Sequence, residues 1–142
     1  MATTTYSTDA AGLGTSPTTK LSGAVVWGRL RRFRAVVAFA AQANGDTIVL
    51  TNVPAGYTFA FGMINASATF GASATIAIGI AGATDKYRTA ATHTTTVPTL
   101  FGLYTAADDV PLAAAETILL TIAVAALPGS GSAVIDMYFS AP

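Results

Sequence analysis

The chain has 142 residues, with seven basic and seven acidic side chains, 10% charged residues in all, one histidine and no cysteine. This length fits a single domain that buries about two-thirds of its surface, so a self-standing fold requires no disulfide or metal. The missing cysteine excludes disulfide frameworks, thiolate nucleophiles and Cys-based zinc sites, and a single histidine excludes an H-x-x-x-H ligand pair.

Charged residues usually make up about 25% of a soluble domain, so this exterior is built mostly from Thr, Ser, Ala, Gly and apolar groups. Such a surface, with zero formal charge, favours contact with other protein over life as a dispersed monomer. Met1 to Tyr6 have no basic or apolar run and do not read as a secretory signal, so export by that route is not expected. Ile118–Leu127, the most apolar run, is interrupted by Thr121 and is only about half the ~20 residues a membrane span needs.

Residues 1–24 combine Thr, Ser, Ala, Gly and one Pro without apolar periodicity and read as an extended N-terminal arm. At ~3.3 Å per residue the arm reaches about 80 Å, against a radius of gyration near ~14 Å for the body. Residues 25–142 form the body. In Arg29–Ala41 the residues Phe33, Ala35, Val37 and Phe39 fall on one side and Arg32, Arg34, Val36 and Ala38 on the other, as in a strand with one apolar face. Asn44-Gly45-Asp46 makes a turn into a strand at Thr47–Asn52, and Pro54-Ala55-Gly56 makes a second turn into Tyr57–Thr69.

The cleanest alternation is Ile76, Ile78 and Ile80 against Thr75, Ala77 and Gly79, closed by turn residues Gly82 to Asp85. Lys86–Thr92 reads as the next strand, and His93–Val110 as a long Greek-key crossover. Thr117–Ala126 and Ser132–Ser140, joined by Pro128-Gly129-Ser130-Gly131, read as a hairpin, with Ile118, Leu120, Ile122 and Val124 alternating in one and Ala133, Ile135, Met137 and Phe139 in the other. Ala113–Glu116 alone has good helix propensity and is too short to matter. The expected fold is all-β, a two-sheet antiparallel β-sandwich of jelly-roll type with an extended N-terminal arm.

Arg29, Arg31, Arg32 and Arg34 hold four of the seven basic charges, flanked by Trp27 and Phe33. On a strand, Arg32 and Arg34 share one face and Arg29 and Arg31 the other. Arginine's planar fork pairs bidentately with carboxylates or phosphates, so the cluster reads as a subunit contact, with a solvated strand edge as the plainer alternative. A neutral chain whose aromatics are not interleaved with its basic residues in a way that would stack several bases does not suit nucleic acid. Trp27 and, on the arm, Tyr6 are grouped with the arginines as candidate partner-binding residues.

Catalysis finds no motif: His93 has no G-x-S-x-G elbow to serve, and Ser67 and Ser73 lie in plain β-like sequence. Asp108-Asp109 supplies too few oxygens for calcium and reads as a turn or cap. The glycines at Gly12-Leu13-Gly14, Gly79 to Gly82 and Gly129 to Gly131 lack a following G-K-[ST] and are hinges and turns. No catalytic residue, metal ligand or cofactor is assigned.

The ordered segments GRLRRFRAVVAFAAQANGDTIVLTNVPAGYTFAFGMINASATFG, ATIAIGIAGATDKYRTAAT and the closing strand pair resemble the capsid cement, or head decoration, proteins of tailed bacteriophages. The resemblance spans roughly Gly28 to Ser140, its most specific motifs being A-Q-A-x-G-D-T-I and A-x-G-I-A-G-A-T; the arm is similar in composition and in its Met-Ala-Thr-Thr start. It implies a β-sandwich made in the bacterial host cytoplasm that sits on the capsid exterior, often as a homotrimer. There it would bind the major capsid protein and clamp neighbouring capsomers against internal DNA pressure. It implies no reaction, no direct nucleic-acid contact and no membrane. The rival from another class is a receptor- or glycan-binding β-sandwich of a virion spike or tail tip, with Trp27, Tyr57, Tyr87 and Tyr104 as candidate sugar-stacking rings.

Overall fold

A computed structural model describes residues 28–108 and 110–142; residues 1–24, expected to form an arm, Trp27 and Asp109 lie outside them. Among the described residues eight strands follow in order: β1 (Arg29–Ala38), β2 (Thr47–Val53), β3 (Thr58–Ala66), β4 (Thr75–Ile80), β5 (Ala83–Thr92), β6 (Thr99–Phe101), β7 (Glu116–Ala123) and β8 (Ser132–Ala141). They form two four-stranded sheets, β1-β8-β3-β6 and β2-β7-β4-β5, and the ladders are antiparallel throughout. Within the sheets β1 pairs with β8, β2 with β7, β3 with β6 and β4 with β5. These pairs are nested, as in one long hairpin rolled over itself, and this is the strand order of a jelly roll.

The two inner faces come from the alternation legible in the sequence. Val37, Ile64, Ile135, Met137 and Phe139 from the first sheet, with Phe39 just past the end of β1, meet Ile76, Ile78, Tyr87, Ile118, Leu120 and Ile122 from the second in one core. Phe139 lies at its centre, edge-on to Phe33 and Phe59 at ring distances of 5.5 and 5.3 Å. Burying each such side chain is worth about 1.5–3 kcal/mol, enough in aggregate to hold the sheets together without a covalent staple.

Three sequence expectations are corrected. Only β4 and β5 are consecutive strands of one sheet; β7 and β8 belong to different sheets, so the expected hairpin is instead an arch across the core. The chain leaves β7 at Ala123 because Val124 takes a positive φ of 72° and turns outward, 69% exposed. Leu127 then tucks into the core and donates its N–H to the Gln42 carbonyl. Strands that point apolar faces at each other across a sandwich show the same alternation as strands side by side.

The second correction concerns the long link after β5. It crosses to the first sheet, contributes the short β6, makes a 3₁₀ turn at Tyr104–Ala106 and returns to the second sheet, so it is two crossings. The third is that β5 begins at Ala83, three residues inside the expected turn, after a two-residue turn with Gly82 at φ 84°. Its irregular start lies over Gly79, where a Cβ would fall 2.1 Å from the Ala83 carbonyl oxygen. Gly79 is buried for that reason, Ala77 is buried as well, and β4 is thus covered on both faces.

Candidate functional site

Among the described residues β1 lies at the edge of its sheet, with β8 on one side. Its register with β8 puts Arg32 opposite Tyr138 and Arg34 opposite Asp136 on the outer face. Arg29 and Arg31 share the parity of Phe33 but lie beyond the end of the core, and both are exposed. The structure thus divides the four arginines between two faces, as the sequence indicates, and then distinguishes Arg34 from the rest.

Arg34 makes a bidentate pair with Asp136, Nε to Oδ1 and Nη2 to Oδ2, both at 2.8 Å. The Asp136 side chain is only 3% exposed although it points away from the core. Its hydrogen bonds from Arg34 outweigh burial, and together with the charges of Arg34 and Arg32 they hold the carboxyl below the usual aspartate range. The same bond raises the Arg34 pKa. Arg34 is therefore committed to its own sheet, whereas Arg29, Arg31 and Arg32 make no ion pair among the described residues. Asp136 was missed at the sequence level: its outward position in β8 was legible, but a partner 102 residues away was not.

Beside the arginines the same outer face turns apolar. Phe61 stacks on Tyr138 with ring centroids 4.7 Å apart and planes inclined by 20°. Phe61, Leu100, Leu103 and Tyr104 border an open groove of about 390 Å³, and Tyr104 is 87% exposed. Among the described residues no carboxylate or amide side chain lines this groove, which is poor equipment for a sugar. Of the other aromatic candidates, Tyr87 is fully buried and Tyr57 packs edge-on against Phe33 at 5.7 Å. Trp27 and Tyr6 lie outside the described residues.

Several other polar groups are engaged within the fold. Tyr87 donates a 2.6 Å hydrogen bond to Glu116 Oε2, and Lys86 pairs with the other carboxylate oxygen. Burial, then that hydrogen bond and the Glu116 charge, push the Tyr87 phenol well above its usual range. Arg88 donates to the main-chain carbonyls of Ile76, Thr89, Ala91 and Thr92. His93 is 4% exposed, packs edge-on against Phe70 at 5.4 Å, and leaves Nε2 without a partner among the described residues. Burial first, and the Arg88 charge second, lower its pKa. Among the described residues no three potential metal ligands converge, and no helix is long and apolar enough to cross a membrane.

No protein-family model matches the sequence, and neither does any curated protein. Solved structures do resemble the fold. A chain of the cyanophage Pam1 capsid asymmetric unit superposes with a TM-score of 0.63 at 17% identity, covering 81% of this chain and 86% of that one. A chain in the capsid of Ralstonia phage GP4 gives 0.63 at 14% identity, covering 87% and 90%. One from the acidic stable capsid structure of Helicobacter pylori bacteriophage KHP30 gives 0.54 at 9% identity, covering 80% and 94%. At these identities the shared property is the fold.

Proposed function

We propose that this chain is a structural protein of a phage virion, a cement protein that binds the outside of the head and clamps neighbouring capsomers. The observation that carries this reading is the nearly end-to-end likeness to chains from three phage capsids, at least 80% of this chain against at least 86% of theirs. A surface with few charges and zero net charge suits packing against protein, including sister copies in a homotrimer.

In this reading Arg29, Arg31 and Arg32 bind carboxylates of the major capsid protein or of a sister chain, and residues 1–24 bridge to a neighbour. Several weak contacts on one shell act at high effective concentration, so retention exceeds the strength of any one of them. The work is mechanical and requires no reaction or cofactor. The test is cosedimentation of the purified protein with capsids lacking it, with its molar mass measured by light scattering. Saturable binding by a trimer, weakened by deletion of residues 1–24 and by R31E/R32E, is the expected result. A monodisperse protein that ignores capsids and binds cell-surface glycan would replace this reading with host recognition.

A further inference from the structure

Four strands bound the two sheets laterally: β1 and β6 in the first, β2 and β5 in the second. Exposed edges invite unwanted pairing, and proteins blunt them by shortening or bulging the strand. Three of these edges are blunted in that way. β6 has three residues, the register of β2 slips between Val49 and Thr51, and that of β5 slips twice against β4. β1 differs, running ten residues in unbroken register with β8, without proline, and seven of the ten are exposed. Among the described residues nothing pairs with its second edge.

The charges along β1 indicate what fits there. Arg29, Arg31 and Arg32 carry no ion pair among the described residues, on a strand whose one carboxylate neighbour is already taken by Arg34. A second copy of β1 on this edge would gather two sets of four arginines in one sheet, and like charges on neighbouring strands are destabilising. An extended segment bearing carboxylates at alternate positions meets both requirements, main-chain hydrogen bonds along the edge and side-chain charge across it. We propose that the free edge of β1 accepts an extended acidic strand from a partner polypeptide, which becomes the fifth strand of the β1-β8-β3-β6 sheet. The inference rests on the capsid reading only for the partner being a virion protein.

The experiment is hydrogen–deuterium exchange across residues 28–40 of the full chain, with and without synthetic peptides as long as β1. One peptide alternates Glu with Thr and Val, a second has Lys for Glu, and a third keeps Glu but carries proline at alternate positions. The expected result is slowed exchange at every second β1 amide with the first peptide only, and binding at least ~10-fold weaker in R31E/R32E. Equal binding of the proline-bearing peptide would reduce the site to a charge contact and overturn strand addition. So would protection of all β1 amides in the free monomer, or protection that rises with protein concentration alone, since residues 1–27 or a second copy would then hold the edge. Preference for a DNA oligonucleotide over the acidic peptide would overturn it as well. On capsids, a retained protein whose alternate β1 amides still exchange fast refutes strand addition but leaves the cement reading intact. A protein that takes the peptide and ignores capsids refutes the cement reading alone.

Discussion

At the scale of single residues, the Arg34–Asp136 pair is asymmetric, and that asymmetry is testable. Asp136 is almost fully buried while the Arg34 side chain is 48% exposed. Arg34→Ala strands a carboxylate, whereas Asp136→Ala frees a guanidinium that can turn to water. Thermal melts are expected to show a larger loss for Arg34→Ala than for Asp136→Ala, partial recovery in the double variant, and the smallest loss for Arg32→Ala, which contributes only its charge to Asp136. The folded-state pKa of Asp136 lies below its unfolded value, so its contribution is complete above about pH 4 and lost as pH falls through the folded value. Asp136→Asn should flatten that acid limb in urea titrations.

His93 acts in a higher window. Its folded pKa is depressed by burial and by Arg88, so the unfolded chain takes up the proton first. Stability is full above the unfolded pKa of about 6.5 and declines as pH falls toward the folded value. His93→Phe removes the unpartnered Nε2 and should abolish the difference between urea midpoints measured at pH 7.5 and pH 5. An unchanged difference would place the titration elsewhere.

At the scale of elements, the β4–β5 turn and the β7–β8 arch carry the strictest backbone demands. Gly79→Ala would set a Cβ against the Ala83 carbonyl oxygen, a main-chain atom that cannot swing aside. Urea unfolding should show a loss of about 2 kcal/mol or more, as for other overpacked sites. Val124 sits at φ 72°, a region costly for a β-branched residue, and its exposed side chain supports nothing in the core. Val124→Gly should therefore stabilise the sandwich by about 1 kcal/mol in the same measurement, with the N–H bond to Asn44 Oδ1 kept.

At the scale of the molecule, the described core draws its residues from Val37 to Phe139 and is closed by contacts between the two sheets. On the proposal that residues 1–24 form an arm outside this core, their deletion is expected to leave the melting temperature within about 2 °C. Retention on capsids should fall in the same variant. A collapse of the fold on deletion would show instead that the arm is part of the domain.

Period-two alternation in Phe33 to Phe39, Ile76 to Ile80, Ile118 to Ile122 and Ala133 to Phe139 was enough to read an all-β sandwich and its inward side chains from the sequence. The turns at Asn44–Asp46 and Pro54–Gly56 were equally legible, because glycine and proline mark local backbone geometry. The arginine strand was legible as a cluster and in its division between two faces. Which strands lie side by side was not, because main-chain hydrogen bonds carry no residue signature and an arch alternates as a hairpin does. Tertiary structure alone sent β7 and β8 to opposite sheets, joined Arg34 to Asp136 across 102 residues, and left β1 as the long regular edge. Alternation is a local consequence of one buried face, whereas pairing and edges are decided only when distant segments meet.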